Sequence, residues 1–231
     1  MTVGGIEIEL VQKRIKNLHL AVYPPDGRVR LAAPTDVNET TLQLYVVSKL
    51  SWIRKQQRKF AEQNRQSPRQ YLHRESHYFL GKRYLLRVAD QSPVRVVPSV
   101  TVRTKSYIDM VIPADYTQQQ KQDLLQKWYR VELKKIISDL VPRWEATLGV
   151  TANTVTIKAM KTKWGSCNPE TGNILLNMEL AKKPHACIEY VVVHELLHLI
   201  ERKHSDIFLA LLDKYLPNWV SIKKELNSLP V

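Results

Sequence analysis

Apolar and polar residues alternate in the first stretch of the chain. Ile6, Ile8 and Leu10 form one such run, and Leu18, Leu20 and Val22 form a second. A period of two puts every second side chain on one face, so each run predicts a half-buried strand. Pro24-Pro25-Asp26-Gly27 reads as a turn, and Val29–Leu31 as a short returning strand. The period then changes. From about Asn38 to Gln63, Leu42, Val46, Leu50, Ile53 and Phe60 fall near one helical face. Tyr78 to Val88 predicts a hairpin turning at Gly81-Lys82. Strands around Val94–Val97 and Ser106–Ile112 complete this half.

Beyond Tyr116 the pattern is mainly helical. Thr117 to Leu148 carries Leu124, Leu125, Trp128, Val131, Leu133 and Ile136 at burial spacing, and Pro142 is expected to kink or split that helix. Val155–Met160 and Asn173–Leu176 predict strands, with the turn Asn168-Pro169-Glu170-Thr171-Gly172 before the second. Helices are predicted at about Pro184–Arg202, Ser205–Tyr215 and Pro217–Ser228. The chain therefore reads as α+β, in two parts: a strand-rich, mixed α/β region over 1–116 and a mainly helical region over 117–231 built around a buried helix.

Composition changes this picture little. At 231 residues with 44% hydrophobic and 25% charged, the chain has ordinary globular proportions. No apolar run approaches the ~18 residues of a membrane span, so no membrane partner is expected. The first ten residues alternate and include Glu7 and Glu9, unlike a secretory leader. Two cysteines, Cys167 and Cys187, make no disulfide framework. A cytoplasmic protein is expected.

Charge adds more. The net is +13, and from Lys49 to Arg87 there are 11 basic residues against two acidic ones, Glu62 and Glu75. Arg54, Lys55, Arg58 and Lys59 cluster on the side of the first helix that its apolar stripe leaves free. Such a face attracts polyanions through counterion release. It serves equally well as a solvated surface, so a nucleic-acid partner is one of two open readings.

The chemistry concentrates in His194-Glu195-Leu196-Leu197-His198. On a helix, residues i and i+4 lie one turn apart on one face, about 6 Å along the axis, so two imidazoles can grip one metal ion. Glu195 lies about 100° around the helix, within reach of a water on that metal without being a ligand. The flanking Cys187, Ile188, Tyr190–Val193, Leu196, Leu197, Leu199 and Ile200 clothe the helix in apolar groups, so it should be buried. A buried carboxylate beside two histidines is costly unless a cation joins them. The competing possibility is a pair of satisfied core histidines with Glu195 in an ion pair. A hydrolytic zinc site needs three protein ligands and an open fourth position. His204 is the favoured third. A continuous helix would rotate it about 240° off the metal face, so the chain must turn at Glu201-Arg202-Lys203, with Ser205 capping a new helix. Asp206 and Asp213 are rivals for the place.

These segments resemble the bacterial YgjP-like metal-dependent hydrolases, relatives of the SprT-like and minigluzincin-type peptidases. The likeness rests on His194–His198 followed by His204-Ser205-x-x-Phe208. It extends to Lys161-Thr162-Lys163-Trp164-Gly165-Ser166-Cys167, to Gly172-x-Ile174-x-Leu176-Asn177 and to Glu189–Val193. It is strongest over about 155–216. In the first half it is carried by Trp52-Ile53 and Tyr78-x-Leu80-Gly81-Lys82-x-Tyr84. Leu209 departs from the family, which usually has Trp there. The resemblance implies a zincin-like catalytic region with three histidine ligands, and leaves the substrate open.

Trp164–Cys167 reads first as a structural turn with Trp164 in the core, and secondly as a wall of the metal cleft. Asn173–Asn177 is expected to be an edge strand, with Asn173, Ile174 and Leu175 receiving an extended peptide by backbone pairing. Tyr190 and His185 are both candidates to stabilise an oxyanion. The reading that follows is a zinc peptidase using one zinc per chain, Glu195 as general base and a protein or peptide substrate. Two alternatives stay open: a metal-dependent nuclease acting on RNA or DNA, and a non-enzymatic nucleic-acid-associated module with a structural metal.

Overall fold

The computed structural model describes residues 1–23, 26–62, 69–91 and 97–228. It is α+β, and the chain divides into two compact units, Met1–Arg65 and Gln66–Val231. The division expected at 116/117 thus falls inside the second unit, because strands before it and helices after it share one apolar core.

The first unit contains β1 (Thr2–Val3), β2 (Ile6–Lys13), β3 (His19–Tyr23), β4 (Arg28–Pro34) and α1 (Glu39–Glu62). Its sheet has the order β1-β2-β4-β3, with β2 and β4 parallel and β3 and β4 an antiparallel hairpin. Gly27 closes that hairpin at a φ of +73° with its N–H on the Tyr23 carbonyl, a left-handed conformation that glycine adopts without strain. The predicted helical face is the buried one: Leu42, Val46 and Ile53 join Ile8, Val29 and Leu31 in the core.

The second unit opens with β5 (Ser76–Phe79), β6 (Lys82–Gln91), β7 (Ser99–Val102) and β8 (Tyr107–Pro113), in the order β5-β6-β8-β7. The expected hairpin forms, but it turns at Leu80-Gly81, one residue before Gly81-Lys82, and both residues of the turn have positive φ. The strand expected at Val94–Val97 falls mostly outside the described residues; Val97 is exposed, and β7 starts two residues later. Helix α2 (Gln118–Leu148) starts at a capping box of Thr117 and Gln120 and ends at Gly149 in the left-handed conformation. Of the kink or split expected at Pro142, the split does not occur: the helix is continuous through it. Burial of Leu125, Tyr129, Leu133, Ile137 and Leu140 along one face outweighs the one backbone bond that proline removes. The Tyr129 hydroxyl also donates to the Tyr78 carbonyl, tying α2 to β5.

Three short strands follow: β9 (Thr154–Lys158), β10 (Gly165–Asn168) and β11 (Asn173–Asn177). Their order is β10-β11-β9, with β10 antiparallel and β9 parallel to β11. This corrects two expectations. Trp164–Cys167 is not a turn but leads into a strand, and β11 is the central strand rather than an edge. A 3-10 helix (Met178–Lys182) leads to α3 (His185–Leu197), α4 (Asp206–Tyr215) and α5 (Trp219–Ser228). The turn at Leu80-Gly81 props the start of α3. Its N–H groups bond the Ala181 and Lys182 carbonyls, and a side chain on Gly81 would strike Pro184. No helix among the described residues is long and apolar enough to cross a membrane. Cys167 and Cys187 are free thiols.

Candidate metal centre

Helix α3 is the axis of the second core. Cys187, Ile188, Tyr190–Val193, Leu196 and Leu197 are buried around its whole circumference, as its apolar sequence requires. The helix was expected to reach Arg202 but ends at Leu197, with His198 as its cap. The cause is a tightening of the last turn. The N–H groups of Leu199 and Ile200 reach back three residues to the Leu196 and Leu197 carbonyls, at 3.0 and 2.9 Å. The chain therefore turns earlier than expected. It returns His204 to the helix end, just ahead of Ser205, whose side chain caps α4 by accepting from the Phe208 N–H.

This route brings the three predicted imidazoles together. One nitrogen from each of His194, His198 and His204 lies within 4.8 Å of the others. The His194 and His204 Nε2 atoms are 3.0 Å apart. All three rings rest on the fully buried Phe208, with ring centroids 4.7–5.0 Å from it. Neither rival ligand belongs to the group, and Asp213 instead accepts from the Trp219 indole at 2.7 Å.

The donor set suits a cation. His198 Nδ1 lies 3.1 Å from the Glu201 carbonyl, which fixes that nitrogen as the donor and leaves the Nε2 lone pair for a ligand. Burial first, and then the neighbouring imidazoles, push the His194 pKa down to about 3 and lower that of His204. Both rings are therefore neutral, with lone pairs available, at physiological pH. Buried His194 Nδ1 has no hydrogen-bond partner among the described residues. At 3.0 Å the two Nε2 atoms can share one imidazole proton as a hydrogen bond or, with both lone pairs turned inward, face a common cation. Three imidazole nitrogens within 4.8 Å of one another are a donor set that would hold a zinc ion.

Glu195 lies beside this cluster, 5% exposed. Burial raises its pKa to about 7, against the opposing pull of the Lys163 charge and of a hydrogen bond from the Cys167 backbone. A cation beside it would bring that value back down. The carboxylate packs directly on Gly165. A Cβ there would overlap Glu195 Oε1 and lie 2.7–2.8 Å from its Cγ and Cδ. Gly165 and the Cys167 N–H were missed as site components by sequence reasoning, although both lie in the Trp-Gly-Ser-Cys segment that it quoted.

The cluster forms part of the wall of a cleft of about 580 Å³ lined also by Lys163, by β10, by Pro169-Glu170 and by Arg202. Of the predicted substrate residues, Trp164 lies just outside this cleft, half-buried under the Lys183 ammonium at 4.9 Å. Asn173 accepts from Asn153 and Thr154, Ile174 is buried, and Leu175 pairs with Ser166. None of Asn173, Ile174 and Leu175 lines the cleft, because β10 lies between. Asn177 is another residue that sequence reasoning missed. Buried, it donates to the Met160 and Lys163 carbonyls at 2.8 Å and accepts from the Met160 and Glu179 N–H groups, which fixes the loop entering β10. His185 is exposed at the start of α3, nine residues and about 13 Å of helix from His194, and is no oxyanion candidate. Tyr190 is buried, with its ring 5.7 Å from that of His194. In the first unit, Arg54 donates to the Gly4 carbonyl at 3.1 Å, Lys55 and Arg58 are exposed, and the Lys59 side chain lies outside the described residues.

Comparison with known proteins agrees with this geometry. No curated protein matches the chain. Solved structures that resemble it include the metallopeptidase zymogens abylysin of Pyrococcus abyssi and jannalysin of Methanocaldococcus jannaschii. Each is 24% identical with a TM-score of 0.36, covering 38% and 39% of this chain and 89% and 86% of theirs. Likenesses that distant carry no argument about the site. The family comparison does, for the model described as "YgjP-like, metallopeptidase domain" matches residues 16–229 and so takes in the histidine cluster, Glu195 and β10 together. The chain belongs to the YgjP-like family of metal-dependent peptidases.

Proposed function

We propose that the protein is a zinc peptidase in which His194, His198 and His204 hold one zinc and Glu195 is the general base. The observation that carries this is the convergence of three imidazoles with a buried carboxylate at one cleft. A bound zinc would polarise the scissile carbonyl and make water a stronger acid. The residues divide the remaining work. The outer edge of β10 is not used in its own sheet, and it offers N–H and C=O groups to an extended peptide. This moves the strand-addition role from Asn173–Leu175 to Gly165–Asn168. Glu195, steadied by the Cys167 N–H, takes a proton from the attacking water and delivers it to the leaving amine. Burial raises the Tyr190 pKa to about 12, so its phenol keeps its proton and can donate to a developing oxyanion.

The test is a pair of variants assayed on denatured protein, with RNA as a parallel substrate. Glu195→Gln is expected to keep zinc and lose on the order of 10²–10⁴ in rate. His204→Ala is expected to lose tight zinc binding. Full turnover by Glu195→Gln, or cleavage of RNA but not protein, would sink the proposal.

A further inference from the structure

A second, smaller pocket of about 290 Å³ adjoins the histidine cluster. It shares Lys163, Gly165, His194, Glu195 and His204 with the main cleft, and its own walls are Trp164, Tyr190, Val191, Lys223, Leu226 and Asn227. The walls are mixed, with Trp164, Val191 and Leu226 against polar groups, and two lysines are among them. Their charges reach the reaction centre: Lys163 acts on Glu195, and Lys223 on both His194 and His204. Lys223 also lies over the Trp219 ring, with its Nζ 5.4 Å from the centroid, which limits where it can swing. Neither lysine forms an ion pair among the described residues. The one acidic group in the lining, Glu195, is committed to the cluster and to the Cys167 N–H. Two lysines without an ion-pair partner in a mixed pocket, beside the histidine cluster and Glu195, complement a short side chain ending in an anion.

We propose that this pocket binds a carboxylate on one of the two residues flanking the scissile bond. The enzyme then prefers Asp or Glu, or the chain terminus, at that position. The inference rests on the peptidase reading for its substrate, but the pocket's charge can be tested separately. Two sources share the chemistry, an internal acidic side chain and a free α-carboxylate, and the experiment separates them.

The experiment uses zinc-loaded, full-length Glu195→Gln protein, titrated calorimetrically with matched peptide hydroxamates extending from either side of the hydroxamate. One pair differs as Asp against Asn, and another as a free against an amidated C-terminus. In one series the anionic compound is expected to bind about five- to tenfold tighter, as two partly exposed charge contacts allow. The preference should shrink with salt and fall below about twofold when Lys163→Gln and Lys223→Gln are added. Lys223→Gln alone should give an intermediate value. Equal binding of both members of every pair overturns the proposal, as does a preference that survives the loss of both lysines. A library of peptides offered to the unmodified enzyme separates the two readings. Cleavage without acidic preference defeats the pocket and leaves the peptidase. A hydroxamate preference with no peptide cleaved defeats the peptidase and leaves an anion pocket.

Discussion

Gly165 shows how far a single atom reaches in this site. Its φ is unremarkable, so alanine could take its backbone conformation; what forbids a side chain is the Glu195 carboxylate packed against its α-carbon. Gly165→Ala is expected to displace that carboxylate by some tenths of an ångström or more. Zinc and fold should be kept, while kcat falls by at least tenfold, since a general base must sit within hydrogen-bond reach of the proton it takes. Metal content and kcat measured on the same sample check this, and unchanged turnover would free Gly165 of the role. The proposed ligands could be read from the sequence because helical spacing places His194 and His198 on one face, whatever the rest of the chain does. Gly165 could not, because its role exists only against a residue thirty positions later. Asn177 likewise shows its four hydrogen bonds only once the loop it holds has been folded around it.

Elements divide along the same line. Helix α1, the hairpin at Leu80-Gly81 and the Ser205 cap follow from local signals, and each stands close to where those signals put it. Strand β10 does not. Gly165-Ser166-Cys167-Asn168 has no β-branched residue and no apolar alternation, and it is extended because β11 supplies its ladder. Missing it is what made β11 look like an edge. The Ser205 cap carries a test at this scale. Ser205→Ala should cost about 1 kcal/mol at the start of α4. Because His204 is the residue before the cap, zinc should also dissociate faster, while the pH-rate profile set by Glu195 keeps its shape. Competition with a chromogenic chelator measures the first effect, and an unchanged dissociation rate would uncouple the cap from the ligand.

At the scale of the whole molecule, the division into units was the least legible feature, since no shift in composition marks Arg65/Gln66 and the basic run from Lys49 to Arg87 continues through it. Two expectations belong here. His77, 4% exposed in the second unit, has its pKa pushed down to about 4 by burial first and by the Arg69 charge second, against the pull of Glu75. The folded state thus binds fewer protons than the unfolded chain between about 4 and 6.5. Stability should be full above about 6.5 and fall as pH drops through that window, by as much as about 3 kcal/mol. Urea titrations of metal-free protein, with and without His77→Leu, check the slope, and identical slopes would clear His77. The second concerns the basic face of α1. If it binds nucleic acid it does so through phosphates, so affinity for a random duplex should fall steeply with salt, and Lys55→Gln with Arg58→Gln should flatten the dependence. No binding at low salt would leave that face a solvated surface.

The three histidines lie within eleven residues of a chain of 231. An ion held by them closes a short loop and does not join distant segments. In the unfolded chain the same imidazoles stay near one another, so the denatured ensemble keeps some affinity for zinc. Metal stabilises a fold only by the difference between its affinities for the two states. Chelation should therefore abolish turnover and loosen residues 198–204, while the melting midpoint falls by less than the affinity of the folded site alone would give. A preparation that has lost its metal would then stay folded over most of the chain and still be inert.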